Sequence, residues 1–196
     1  SSSPRIAAFI GRFQPVHHGH IIGIKRIIDQ HDKVHIVVAS FSKRSKINPL
    51  THLEAKYLLV RSLKEAGVDL RKVKVSTMRR PKEYKCDPLF FVHGQLRRRI
   101  RRPFMFFTGN RTVHEILSSR NLPVRFFDIN TLPLSHIAVG KGEALSATYV
   151  REAIATGKPW EHLVPSVAAR LIKQRQLHDR IRELHQRGEN LHIHYK

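Results

Sequence analysis

An arginine and three histidines stand around two glycines in the stretch GRFQPVHHGH, residues 11–20, directly after the apolar run IAAFI. A strand ending in Gly11, followed by a loop and a helix beginning near Gly19, would aim free backbone N–H groups and a helix dipole at one point, an arrangement that holds phosphate. Gly19 permits close backbone approach and Pro15 stiffens the loop. His17 and His20, three residues apart, can meet on one face of the first helical turn and donate to a single anionic group, and Arg12 adds a forked donor. His18 points elsewhere on that turn, toward solvent. These residues alone leave two readings open, a nucleotide or phosphate site and a basic turn without a ligand.

Two further segments carry residues of the same chemical kind. In LSATYVR, residues 145–151, Ser146 is placed as an N-cap and Thr148 in the first turn, with Arg151 three residues on along the same face. Together they would offer hydroxyls, free N–H groups and a guanidinium to a polyphosphate. In SKRSKINPLTHLEA, residues 42–55, Lys43, Arg44 and Lys46 either reach a triphosphate or form a solvated loop. Thr51 and Glu54 make a T-x-x-E capping box that starts a helix.

The elements that must position these residues alternate along the chain. Short β-rich runs (RIAAFIG, KVHIVVAS, KVKVSTM, PFMFFTG, PVRFFDI) alternate with longer helical ones, the rhythm of a parallel sheet flanked by helices. In the second helix Leu53, Leu58 or Leu59, and Leu63 recur near helical spacing. PLFFVHGQL fits either a helix or a strand. Toward the C-terminus a short helix capped by Ser146 gives way to the turn KPWEHLVP, where Trp160 and Leu163 pack the corner. A long helix from Ser166 to about Gln186 follows.

The chain has 196 residues and 41% apolar content, enough for one buried domain: a nucleotide-binding core over about 5–140 and a C-terminal motif with helices over about 141–190. Lys and Arg number 36 against 15 acidic residues, a formal charge of +21, which attracts nucleotides, RNA or anionic surfaces. The densest run is RRRIRR, residues 97–102. The single Cys86 excludes an intramolecular disulfide and a cysteine-only zinc site. The alternating histidines of ENLHIHYK lack a third partner, so no protein-held metal site is expected. No apolar run reaches the roughly 18 residues of a membrane span. The expectation is a cytoplasmic protein without membrane contact, with processing before residue 1 left open.

GRFQPVHHGH resembles the signature of the HxGH-type nucleotidyltransferases, and its Arg-Phe-Gln-Pro form is similar to that of the nicotinamide-mononucleotide adenylyltransferases of the archaeal type. SKRSKINPLTHLEA resembles that family's Asn-Pro-Phe-Thr signature, LSATYVR its ISxTxxR motif, FFTGN its fourth strand with the following Asn, and GKPWEHLVPSVAARLI its Trp-x-x-Leu-Val-Pro segment. The resemblance implies an α/β fold, a Rossmann-like sheet of five or six parallel strands flanked by helices with a C-terminal helical extension. ATP would cross the carboxyl ends of the strands. It also implies transfer of AMP from ATP to nicotinamide mononucleotide, giving NAD and pyrophosphate, with Mg²⁺ accompanying the ATP and a homo-oligomer as the assembly.

Carried onto this chain, the resemblance makes Arg12, His17 and His20 catalytic. Gly11, Phe13, Gln14, Gly19 and Lys46 would bind ATP with Asn110, Ser146, Thr148 and Arg151, and Ser40 and Phe91 would bind the acceptor. The chain departs from the pattern at Ala55, where an Arg is usual, and in KEYKCDPLFFVHGQL, where an acidic, Trp-bearing segment is usual. Phe91 either replaces that Trp or is a core residue. Two alternatives follow: the same chemistry on another phosphate acceptor, or a related domain serving as an RNA-binding or ribosome-associated protein. RNA contact would fall to Arg97, Arg98, Arg99, Arg101 and Arg102, at the amino end of a strand and separate from the chemistry.

Overall fold

The structure, a computed structural model, describes residues 3–40, 43–79, 88–128, 131–134, 137 and 139–188, with the backbone alone at 40, 79 and 88–92. Cys86 and the tail histidines lie outside the described residues. Five parallel strands form one sheet in the order β3-β2-β1-β4-β5. They are β1 Ile6–Gly11, β2 Lys33–Ser40, β3 Val73–Arg79, β4 Met105–Thr108 and β5 Val124–Phe126. Helices between them are α1 His18–Asp29, α2 His52–Glu65, α3 Pro88–Ile100 and α4 Arg111–Ser119. Three more follow among the described residues: α5 Ala147–Ala155, α6 Ser166–Gln174 and α7 Leu177–Gln186. PLFFVHGQL thus belongs to a helix, α3.

The central strands are apolar on both faces because helices cover both. Along β2, Val34, Ile36 and Val38 enter the larger core with Ala7, Ile24 and Leu59. Val37 points the other way, to Ala8, Leu96, Phe106 and Leu117. The registers Gly11↔Val38 and Phe9↔Phe107 align the carboxyl ends of β1, β2 and β4. Strand order reverses between β1 and β4, so the crevice there is where such sheets bind ligands.

The expected capping box starts α2: Glu54 N donates to Thr51 Oγ1 at 3.1 Å and Thr51 N to Glu54 Oε2 at 2.9 Å. Leu58, Leu59 and Leu63 are buried, but Leu53 is 63% exposed. It falls in the first turn, outside the stripe that faces the core. Trp160 and Leu163 are buried at the corner, as expected. The single helix expected from Ser166 to about Gln186 is instead two, because Gln176 takes a left-handed conformation, φ 54°, between α6 and α7. The break lays α7 against α5, from where Arg180 reaches the start of α2 and makes a fork to Glu54 at 2.6 and 3.1 Å. Glu65 at the end of α2 accepts from Ser166 Oγ and from Val167 N, seating the start of α6. Among the described residues no helix is long and apolar enough to cross a membrane.

Candidate active site

The loop between β1 and α1 is built around a buried aromatic ring. Phe13 has φ 51°, in the left-handed region that non-glycine residues rarely adopt, and its side chain is 1% exposed. Its ring lies under Gly11, where a Cβ would come within 3.0 Å, and 4.8 Å from the His20 ring. Phe13 therefore supports the loop from beneath, and the strain is held within the candidate site. Gln14, 1% exposed, has its amide committed at both ends: Nε2 donates to Leu50 O at 3.0 Å and Leu50 N donates to Oε1 at 2.8 Å. Of the residues expected at ATP, Phe13 and Gln14 thus spend their side chains on packing and on tying the loop to the start of α2.

His17 is the N-cap of α1, two residues before the start expected near Gly19. Gly19 N donates to His17 Nδ1 at 3.1 Å, and His17 N donates to His20 Nδ1 at 3.1 Å. This is a reciprocal capping box made from two imidazoles in place of a hydroxyl and a carboxylate. Its consequence is chemical. With both Nδ1 atoms accepting, each neutral ring carries its proton on Nε2, so each presents one N–H donor. The rings stack with centroids 3.8 Å apart at 30°. Burial pushes His20 down to about 3. Burial, then the neighbouring His20 and His18, holds His17 well below the ordinary imidazole range. The pair is therefore an uncharged double donor at the N-terminus of a helix. His18 is half-buried.

Positive charge comes from the guanidiniums. Arg12 keeps an exposed side chain, yet the surrounding protein lowers its pKa by burial. Arg151, 6% exposed, is lowered to about 10 by burial first and the Arg12 charge second, with Glu152 opposing. It remains a cation at neutral pH. Arg151 Nη1 donates to Gln14 O at 2.8 Å across 137 residues, and Nη2 donates to Thr148 Oγ1 at 3.2 Å. The segments 11–20 and 145–151 are thereby joined.

Ser146 caps α5 by accepting from Tyr149 N at 3.0 Å, and Tyr149 Oη accepts from Gly140 N at 2.9 Å. Thr148 is exposed. Lys46 lines a cleft of about 40 Å³ with Thr148, Arg151, Glu152 and His185, so the second motif joins the same cluster. Asn110 caps α4 beyond the carboxyl end of β4, its Oδ1 accepting from Val113 N at 3.1 Å. Ser40 ends β2 on the same side of the sheet. Phe91 belongs to α3, and its side chain lies outside the described residues. Ala55, where the family pattern has Arg, is fully buried.

Sequence reasoning missed the Gln14–Leu50 clamp, the Arg151–Gln14 bond and the Tyr149–Gly140 bond. Only the adjacency of each residue to a motif signalled them. Among the described residues no group of three or more His, Cys, Asp or Glu is placed to hold a metal ion. A divalent ion arriving with a nucleotide at this cluster would be held by the phosphate oxygens of that nucleotide.

A parallel sheet with a helix N-terminus, paired imidazoles and two arginines at its carboxyl edge defines a nucleotidyltransferase of the Rossmann-like class, and the Cytidylyltransferase-like family model matches residues 8–153. The chain belongs to that family and, within it, to the nicotinamide-nucleotide adenylyltransferases. It is 30% identical over 188 residues to the nicotinamide-nucleotide adenylyltransferase of Thermococcus onnurineus, covering 95% of this chain and 92% of that one. It is 31% identical over 183 residues to that of Pyrococcus horikoshii, covering 90% and 87%. The fold is similar to that of a bifunctional NMN adenylyltransferase/ADP ribose pyrophosphatase from Francisella tularensis, solved with AMP and an Mn ion. The TM-score there is 0.71 at 17% identity, over 94% of this chain and about half, 54%, of that one. It is also similar to NadR in complex with NAD and AMP-PNP, TM-score 0.60 at 20% identity, over 84% and 46%.

Proposed function

We infer that the protein transfers AMP from ATP to nicotinamide mononucleotide, giving NAD and pyrophosphate. The observation that carries this reading is the junction of Arg151 with Gln14, which joins the α5 motif to the histidine-capped loop. Membership of the adenylyltransferase family supports the choice of nicotinamide mononucleotide as acceptor.

The chemistry is a direct in-line displacement. An oxygen of the mononucleotide phosphate bonds to the α-phosphorus of ATP while the bond from that phosphorus to the bridging oxygen breaks, and pyrophosphate leaves with the electron pair. The attacking phosphate is already anionic near neutral pH, so no side chain has to act as nucleophile or base. Alignment and stabilisation of charge suffice.

His17 and His20 would each donate Nε2–H to the α-phosphate and its bridging oxygen. Neutral donors suit charge that develops only in the transition state, because they add no fixed cation that would bind the ground state as strongly. Arg12 would pair with the phosphates as the accessible cation. Ser146, Thr148, Arg151 and Lys46 would hold the β- and γ-phosphates, with the N–H groups that open α5 contributing. Gly11, Gly19 and Asn110 would line the nucleotide, and Ser40 and Phe91 the acceptor. Magnesium, arriving with ATP, would neutralise part of the phosphate charge. The location is taken as the cytoplasm and the assembly as a homo-oligomer of one-domain chains.

The test is turnover with ATP, magnesium and nicotinamide mononucleotide, read as NAD, beside nicotinate mononucleotide and other phosphate acceptors. NAD formation with the nicotinamide substrate is expected. Turnover confined to another acceptor would reassign the acceptor half while leaving the ATP half in place.

A further inference from the structure

The strongest feature outside the active site is a pair of adjoining clefts at the amino end of the sheet. One, of about 470 Å³, is lined by Arg97, Arg101 and Arg102 with His93 over a floor of Pro103 and Phe104. The other, of about 600 Å³, shares Pro103, Phe104 and Pro123 with the first and adds Arg5, Arg125 and His31. Among the described residues no carboxylate lines either cleft. Among the described residues Arg5 alone of these arginines has a carboxylate in ion-pair range, Asp32 at 3.9 Å. Arg97, Arg101 and Arg102 are exposed, whereas Arg99 turns to Ser76 Oγ at 2.8 Å and Arg98 faces neither cleft.

Chain geometry explains how the cluster forms. The last turn of α3 contributes Arg97, and Arg101 takes a left-handed conformation, φ 54°, that reverses the chain into β4. Arg97, Arg101 and Arg102 are thereby gathered over Phe104 instead of following a helix around. His93 packs against that ring, centroids 5.4 Å apart. From Phe104 to Asn110 is about 20 Å of extended chain, so the clefts lie at the opposite end of β4 from the nucleotide.

We propose that these clefts bind single-stranded nucleic acid, the exposed Arg97, Arg101 and Arg102 taking successive backbone phosphates and the Pro103–Phe104–Pro123 floor taking sugar and base surface. Three exposed guanidiniums on one rim, with no carboxylate partner among the described residues, make a field that favours a ligand with several negative charges, more than one phosphate supplies. Charge placed on a rim above an apolar floor matches the way single strands are held, by tracking the backbone and packing the bases. A membrane fits less well, since a flat bilayer does not enter a concave cleft. The exposed large apolar residues, Leu53 and Leu70, also line neither cleft.

The experiment measures binding of a labelled single-stranded RNA of about 12 nucleotides by anisotropy across a salt series, with NAD synthesis assayed on the same preparations. The variant Arg97→Gln/Arg101→Gln/Arg102→Gln is expected to keep turnover, lower the salt slope by about 2 and lose about two decades of affinity near 0.1 M salt, at roughly 0.7 per phosphate contact. The corresponding triple Lys variant, which preserves charge, is expected to retain most of the slope. A control with the same loss of charge, Lys64→Gln/Lys158→Gln/Arg170→Gln, is expected to bind nearly as the parent does.

Equal loss in the control would overturn the proposal in favour of general attraction by net charge. It would also be overturned by binding that inorganic phosphate or ATP abolishes at the concentration of the RNA phosphates. Arginine-dependent binding to phosphatidylserine vesicles with none to RNA would assign the clefts to a membrane and overturn it too. Loss of NAD synthesis in the folded Gln variant would refute the separation of the two sites. Absence of NAD synthesis in the parent would leave the RNA result intact and bear only on the proposed activity.

Discussion

At the scale of single residues, the consequential feature is that His17 and His20 are fixed as neutral Nε2–H donors by the backbone they cap. Replacing His20 by Ala removes the donor proposed for the α-phosphate and the acceptor of His17 N–H. Turnover at saturating substrates should fall on the order of 10² or more while ATP still binds, as read by steady-state kinetics beside calorimetry. The same burial predicts an acid response. Unfolded, both imidazoles take up protons below the ordinary 6.5, whereas folded His20 resists down to about 3. The unfolded chain then holds more protons across that interval, so stability falls as pH drops from about 6.5 toward 3 and is unaffected by these groups above it. His20→Asn, which keeps an acceptor for His17 N–H, should flatten the decline in urea midpoint over that window. An unchanged decline would locate the acid sensitivity elsewhere.

At the scale of elements, the candidate site is held together by side chains that bind backbone. Gln14 joins the β1–α1 loop to the entry of α2 through both backbone groups of Leu50, and its own carbonyl anchors Arg151 from α5. Gln14→Leu should cost about 2 kcal/mol or more in denaturant unfolding, because Leu50 N–H and C=O are left buried without partners. It should also raise the ATP concentration required more than it lowers the maximal rate, since Arg151 is loosened rather than removed.

Where local chemistry decides, these elements were legible in the sequence. Thr51 with Glu54 and the Ser146 hydroxyl mark helix starts by bonding three residues on, and they do so here. What escaped reading depends on residues distant in the chain. The α6–α7 break at Gln176 leaves the apolar pattern nearly continuous, and α7 then packs on α5 and sends Arg180 to Glu54, 126 residues away. The motif residues were readable as a set. That Gln14 and Phe13 face inward was not, because a signature records which residues stay together and not which of them touch the ligand.

At the scale of the molecule, +21 on 196 residues means that both the nucleotide crevice and the arginine clefts lie in a positive field. For two anionic substrates such a field raises the rate of encounter without entering the chemical step. Raising KCl from about 20 to 200 mM should therefore lower kcat/KM for ATP several-fold and leave kcat nearly constant, the field being screened over about 8 Å at physiological ionic strength. The arginine clefts provide an internal gauge of range. They are about 20 Å of strand from the crevice, more than two screening lengths at physiological salt but less than the roughly 30 Å that applies at 0.01 M. Arg97→Gln/Arg101→Gln/Arg102→Gln should thus reproduce the parental kcat/KM at physiological salt and fall below it only at the lowest salt. A deficit that persists at high salt would mean that these arginines reach the nucleotide through structure rather than through the field, and the two ends of β4 would then have to be treated as one coupled site.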